Sequence, residues 1–195
     1  MSFGCALVLG SAIVQRVSVV GNSGSGKSTM ARQLAAALGV PHLELDSVFH
    51  QPGWEPLPAG EFRRVVEGAV AGDGWVMDGN YSAVRPIVWA RADTVVWLDL
   101  PRRTVMRQVV WRTLGRAVTR QELWNGNRES LRNFLTWAPE ESIISWAWHN
   151  HGKYRDRYAA AAADPANAHL TFIRLTSRGA ITRFLGEAAC NPTSA

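Results

Sequence analysis

Lysine is almost missing from this 195-residue chain: Lys27 and Lys153 stand against nineteen arginines. Cysteine is equally scarce. Cys5 and Cys190 lie near opposite ends, with no Cys-x-x-Cys pair and no Cys/His ligand spacing. That excludes a disulfide framework and a zinc site as organising devices, and makes a reducing cytoplasm the expected setting. Nor is there an apolar run of the roughly 20 residues needed to cross a bilayer. The apolar segment Met1 to Ile13 lacks the basic flank of an export signal. It reads as a leader (1–13) outside the core, the alternative being an apolar strand or arm packed on the domain.

What is present, 47% hydrophobic and 19% charged residues, describes one globular domain, here 14–190, long enough to bury a core of its own. The net charge of +5 suits phosphates, nucleic acid or a membrane surface without choosing among them. Part of the arginine bias also fits GC-rich coding, as do the alanine runs 35–37 and 159–163.

Val14 to Val20 is a short β-branched stretch that reads as a buried parallel strand, and Met30 to Leu38 reads as a helix stopped by Gly39. Further strands are expected at Val40–Leu45, Trp75–Met77, Thr94–Leu98 and Leu170–Leu175. Between them, Phe62, Val65, Val66, Ala69 and Val70 mark one helix face, and Met106, Val109, Val110, Thr113 and Leu114 another. From Gly115 to Ala163 the chain reads as two or more helices, the later one opening at Pro139-Glu140-Glu141, and Ile181–Ala189 closes the domain. Strands alternating with helices predict a parallel α/β sheet.

Between the first strand and first helix lies Gly21-Asn22-Ser23-Gly24-Ser25-Gly26-Lys27-Ser28-Thr29. This is a complete phosphate-binding loop in its required context. Glycines let successive backbone N–H groups face one concavity, and the helix N-terminus adds its dipole. Lys27 would reach the β- and γ-phosphates, the Ser28 hydroxyl would ligate Mg²⁺, and Thr29 would follow toward the α-phosphate. ATP is favoured over GTP because no Asn-Lys-x-Asp base-reading motif occurs. A carboxylate that orders the metal should close a neighbouring strand. Asp99 follows the more apolar strand. Asp78 is followed by Gly79-Asn80, which lets backbone approach a ligand, and is preferred.

These residues resemble the adenylate-kinase-like branch of P-loop kinases, and within it the bacterial topology modulation (FlaR-like) group. The landmarks are the Gly21–Thr29 loop, Leu45-Asp46 with Phe49 and Pro52-Gly53-Trp54, Trp75-Val76-Met77-Asp78-Gly79-Asn80-Tyr81, Leu98-Asp99-Leu100-Pro101, and Arg174-Leu175. The resemblance implies a five-stranded parallel sheet of order 2-3-1-4-5 with helices on both faces, the P-loop NTPase fold, and an arginine-bearing helical lid over about 112–163. It makes Asp46 the residue that binds or deprotonates an acceptor hydroxyl, and Asp78 the one that holds magnesium through water. Where adenylate kinases carry Asp-Gly-Phe-Pro-Arg, this chain has Asp78-Gly79-Asn80-Tyr81-Ser82, and its next arginine is Arg85. Asn80 and Arg85 are therefore candidate acceptor contacts.

Eight arginines lie between 102 and 132, against Glu122 and Glu129. The resemblance selects Arg107, Arg112 and Arg116 to neutralise the transferring phosphoryl group. Their spacing also suits a solvated helix face. The expected activity is ATP- and Mg²⁺-dependent phosphoryl transfer to a small acceptor such as a nucleoside or nucleotide, with no membrane partner. The alternative is a nucleotide-switched regulatory or nucleic-acid-binding protein, with Trp111, Trp124, Trp137, Trp146 and Trp148 as stacking platforms. Trp146 and Trp148 read rather as helix packing, and His149, His151 and Tyr154 as surface or packing residues. His50 is a candidate for the acceptor pocket.

Overall fold

A computed structural model describes residues 7–9, 12–119, 122–127 and 143–190. Strands β1 (Leu7–Leu9) and β2 (Ala12–Val14) form an antiparallel hairpin, separate from a five-stranded sheet. The five are β3 (Arg16–Gly21), β4 (His42–Glu44), β5 (Trp75–Asp78), β6 (Thr94–Leu98) and β7 (Thr171–Leu175). All pair in parallel, in the spatial order β4-β5-β3-β6-β7. Counted within the sheet this is the expected order 2-3-1-4-5, with helices on both faces.

The helices are α1 (Lys27–Leu38), α2 (Leu45–Phe49), α3 (Ala59–Val70), α4 (Arg85–Trp89), α5 (Arg102–Thr119), α6 (Ile143–Ala163) and α7 (Arg178–Cys190). Alternate residues of the central strands enter two separate cores. Val17, Val19, Val76, Val96 and Leu98 pack with Met30, Leu34 and Leu38 of α1 and Phe184 of α7. Val20, Trp75, Met77, Val95 and Trp97 pack on the other side with Phe62, Val66, Trp89 and Tyr158. Burial on both faces is why these strands are continuous apolar runs instead of alternating ones. Deleting any of these side chains to alanine should cost about 2–5 kcal/mol.

The two five-residue helices are absent from the sequence reading, since neither completes a second turn and so neither shows a periodicity. Leu45, expected to end a strand, instead opens α2, where the Ser47 hydroxyl donates to the Glu44 carbonyl at 2.7 Å. Proline in its first turn helps open α4. Pro139-Glu140-Glu141, Trp137, Arg120, Arg128 and Arg132 lie outside the described residues. Among the described residues, no helix is long and apolar enough to cross a membrane.

Candidate active site

Register puts the carboxyl ends of three strands together. Val19 of β3 pairs with Asp78 of β5, and Asp78 with Glu44 of β4. The phosphate loop leaves β3 at this edge. Gly21 has φ +145°, and a Cβ there would lie 2.6 Å from the Leu98 carbonyl oxygen. Gly24 has φ +76°, and its Cβ would meet Val109 at 2.1 Å. Both positions therefore need glycine for space and for conformation. Helix α1 starts from Gly26 with no side-chain cap, leaving its first N–H groups directed at the loop's concavity.

The loop is held from three sides. Asn80 Nδ2 donates to the Gly21 carbonyl at 2.6 Å, and its Oδ1 accepts from Gly21 N–H at 3.3 Å and from the Tyr158 hydroxyl at 2.8 Å. Asn22 Nδ2 donates to the Ala147 carbonyl of α6 at 2.8 Å, and its Oδ1 accepts from Ser23 N–H at 2.9 Å. Lys27 Nζ arches back to the Asn22 carbonyl at 3.1 Å. Burial lowers the Lys27 pKa, an effect opposed by Asp46, Asp78 and Glu44 and reinforced by Arg112.

Ser28 Oγ lies 2.7 Å from Asp78 Oδ2 and 2.7 Å from Glu44 Oε1. One hydroxyl proton can serve only one of these carboxylates at a time, so the trio has an excess of anionic oxygen. The other Asp78 oxygen is 2.8 Å from His42 Nε2, and Trp124 Nε1 donates to the other Glu44 oxygen at 3.1 Å. A hydroxyl and carboxylates at the foot of a phosphate loop are hard oxygen donors that suit magnesium. Among the described residues there is no cluster of three or more His, Cys, Asp or Glu with metal-site geometry, so such an ion would take its remaining ligands from phosphate and water.

Asp99 stands elsewhere. Its carboxylate accepts from Arg155 Nε at 3.0 Å and Arg174 Nε at 2.9 Å, and so ties β6 to α6 and β7. Asp46, in the first turn of α2, accepts from the Tyr81 hydroxyl at 2.7 Å through Oδ1. Burial and the adjacent Asp46 carboxylate push the Tyr81 pKa up, keeping the phenol neutral.

A cleft of about 1750 Å³ opens over these groups. The loop residues Ser23 to Thr29, with Asp46, His50, Asn80, Arg112 and Arg116, line it. Arg107 is exposed and not among the lining residues. Arg85 borders a separate small cavity, its guanidinium 5.6 Å from the Trp89 ring centroid. Gly21 and Asn22 form the buried foot of the loop. Trp146 packs on Tyr154 at 5.6 Å between ring centroids, whereas Trp148 is exposed under Arg102. His151 is buried, with Nε2 2.9 Å from the Leu100 carbonyl oxygen.

Glu44 and His42 are missing from the sequence reading, while Trp54 enters it only as a landmark of the resemblance and Trp124 only as a stacking platform for nucleic acid. For the first two a signal existed: His42 and Glu44 alternate on one strand just ahead of Asp46. The contact of Trp124 with Glu44 has no local signal, since it spans 80 positions.

A parallel 2-3-1-4-5 sheet with a glycine-rich loop between its first strand and first helix defines the P-loop NTPase fold. No family model matches the chain, and no curated protein matches it by sequence. Among solved structures, that of shikimate kinase from Acinetobacter baumannii in complex with shikimate is similar, with a TM-score of 0.54 at 17% identity, over 89% of this chain and 90% of that one. At that identity the likeness is one of fold.

Proposed function

We propose that this protein is an ATP- and magnesium-dependent kinase of the adenylate-kinase-like branch, transferring the γ-phosphoryl group to a hydroxyl of a small acceptor in the nucleoside or nucleotide class. The observation that carries this reading is the convergence of Ser28 with Asp78 and Glu44 at 2.7 Å, beside Lys27 and below a cleft that also holds Asp46. The loop amides and Lys27 bind the β- and γ-phosphates. Ser28 and Asp78 would hold the metal, Asp78 being oriented by His42, and the ion would supply neutralisation of phosphate charge. Asp46 orients the acceptor hydroxyl and takes its proton. Arg112 and Arg116 face the transferring group from α5, where charge spreads over the equatorial oxygens in the transition state. In this role Asn80 positions the loop, because its amide is already committed to Gly21 and Tyr158.

Acceptor-dependent ADP release from Mg·ATP tests the reading, with Lys27→Ala as the control. Release that is abolished in a folded Lys27→Ala protein is the expected result, and unchanged turnover would refute the assignment. The regulatory reading predicts strongly salt-dependent nucleic-acid binding with no acceptor-stimulated release. Its support is the exposed pair Trp111 and Trp148 on α5 and α6.

A further inference from the structure

The lining of the cleft sets rings against carboxylates, and this bears on the acceptor; the inference rests on the kinase reading above. Besides Lys27 the lining cations include Arg32, Arg112, Arg116 and Arg178. Glu44 and Asp46 line the cleft against a wall of rings, where Trp124 Nε1 donates to Glu44 and the Tyr81 hydroxyl to Asp46. His50 stacks nearly parallel on Trp124, with centroids 5.9 Å apart and planes at 22°, and meets Trp54 edge-on at 5.3 Å. Phe49 and Tyr81 continue the wall, 4.7 Å apart. Arg157 also lines the cleft, exposed and with its guanidinium 5.3 Å from the Tyr154 ring centroid.

Two independent features mark this wall as built for a ligand. Trp54 has φ +64°, a left-handed conformation that a bulky side chain adopts only under constraint. Here Asn127 Oδ1 and the Gln51 carbonyl hold its N–H at 3.0 and 3.1 Å, and the ring stays 39% exposed in the cleft. Asp46 Oδ1 takes the Tyr81 hydroxyl, while Oδ2 has no hydrogen-bond partner among the described residues and is open to a substrate hydroxyl.

We infer that the acceptor is an alcohol carried on an uncharged or cationic planar ring, the ring laid against Trp54 and Trp124 and the hydroxyl against Asp46 Oδ2. A phosphate or carboxylate on the acceptor, with its hydroxyl on Asp46, would have to sit beside the like-charged carboxylates of Asp46 and Glu44, whereas ring faces favour neutral and cationic ligands. In the transfer, the acceptor oxygen bonds to the γ-phosphorus as the bond from that phosphorus to the β,γ-bridging oxygen breaks. The electron pair leaves with ADP, and the hydroxyl proton passes to Asp46.

Matched pairs test this on the full chain saturated with Mg²⁺ and a non-hydrolysable ATP analogue, for binding by ligand-observed NMR, and with Mg·ATP, for ADP release. The probes are adenosine and uridine beside their 5′-monophosphates, and phenylglycinol beside mandelate. The uncharged or cationic member of each pair should bind, and should be phosphorylated with kcat/KM more than 100-fold above its anionic partner. Trp54→Ala should raise the acceptor KM at least tenfold without moving the nucleotide Kd, and Trp54→Phe should restore part of the loss. Preference for the anionic members, no binding by any neutral or cationic member, or an acceptor KM indifferent to Trp54→Ala would overturn the inference. Loss of the kinase reading itself is seen separately, as failure of the wild-type protein to bind the ATP analogue in a Lys27-dependent way.

Discussion

Replacing Asn80 by alanine removes three hydrogen bonds at one stroke: two to the backbone of Gly21 and one from the Tyr158 hydroxyl. Each such bond contributes about 0.5–1.5 kcal/mol net, and a buried donor left without a partner costs about 1–3 kcal/mol. Tyr158 is fully buried, so its hydroxyl is stranded when the Asn80 oxygen is lost. The expected destabilisation is about 3 kcal/mol, and at roughly 2–4 °C per kcal/mol for a domain of this size the Tm should fall by about 6–12 °C. Because Gly21 opens the phosphate loop, nucleotide affinity should fall about tenfold as well. Differential scanning calorimetry and isothermal titration with an ATP analogue measure both quantities. Adding Tyr158→Phe removes the stranded hydroxyl, so the double variant should be less destabilised than the two single losses added together. An unchanged Tm and nucleotide Kd with a raised acceptor KM would show that Asn80 contacts the acceptor and would refute this reasoning.

The two aspartates that compete in the sequence should separate cleanly. Asp78→Asn should abolish the Mg²⁺ dependence of nucleotide binding, whereas Asp99→Asn should leave it intact and lower stability in urea by about 1–2 kcal/mol. That cost is modest for a buried carboxylate, because Arg155 and Arg174 are 45% and 50% exposed and can turn to water. Since burial lowers the Lys27 pKa below its ordinary 10.5, the ammonium loses its proton earlier than a surface lysine would. Nucleotide affinity should therefore decline as the pH rises into the range below 10.5, and Lys27→Arg should flatten that slope because a guanidinium stays charged; equal slopes in titrations of the two proteins would count against it. Gly24→Ala should weaken nucleotide binding by forcing Val109 aside, and Val109→Ala in the same chain should recover part of the loss in the same titration.

The central strands were legible because a strand buried on both faces is mostly apolar, as Val17 to Val20, Trp75 to Met77 and Thr94 to Leu98 are, but their ends were less so: Val14, expected to open the first of them, belongs to the hairpin strand β2, and β3 begins at Arg16. The short helices α2 and α4 were not, since five residues cannot show a 3.6-residue period. For the same reason Asp46 was expected at a strand end and stands instead in the first turn of α2, where Tyr81 reaches it. Arg112 and Arg116 face the cleft and Arg107 does not; helix periodicity orders these three only once it is known which face of α5 packs on Leu100 and Ala147.

By itself the sequence determined the phosphate loop, because the spacing of Gly21, Gly26, Lys27 and Ser28 between a strand and a helix is a local pattern that phosphate binding requires. It also settled the alternation of strand and helix, which follows from hydrophobic pattern alone. Only the tertiary structure decided between Asp78 and Asp99 as the neighbour of Ser28, since both follow strands that flank β3, and what separates them is the placement of Ser28 on the β5 side and of two arginines, from α6 and β7, on Asp99. It likewise brought Glu44 and Trp124 together and turned Asn80 onto Gly21. Such contacts join residues tens of positions apart, and their geometry is fixed by sheet register and helix packing, which no local pattern encodes.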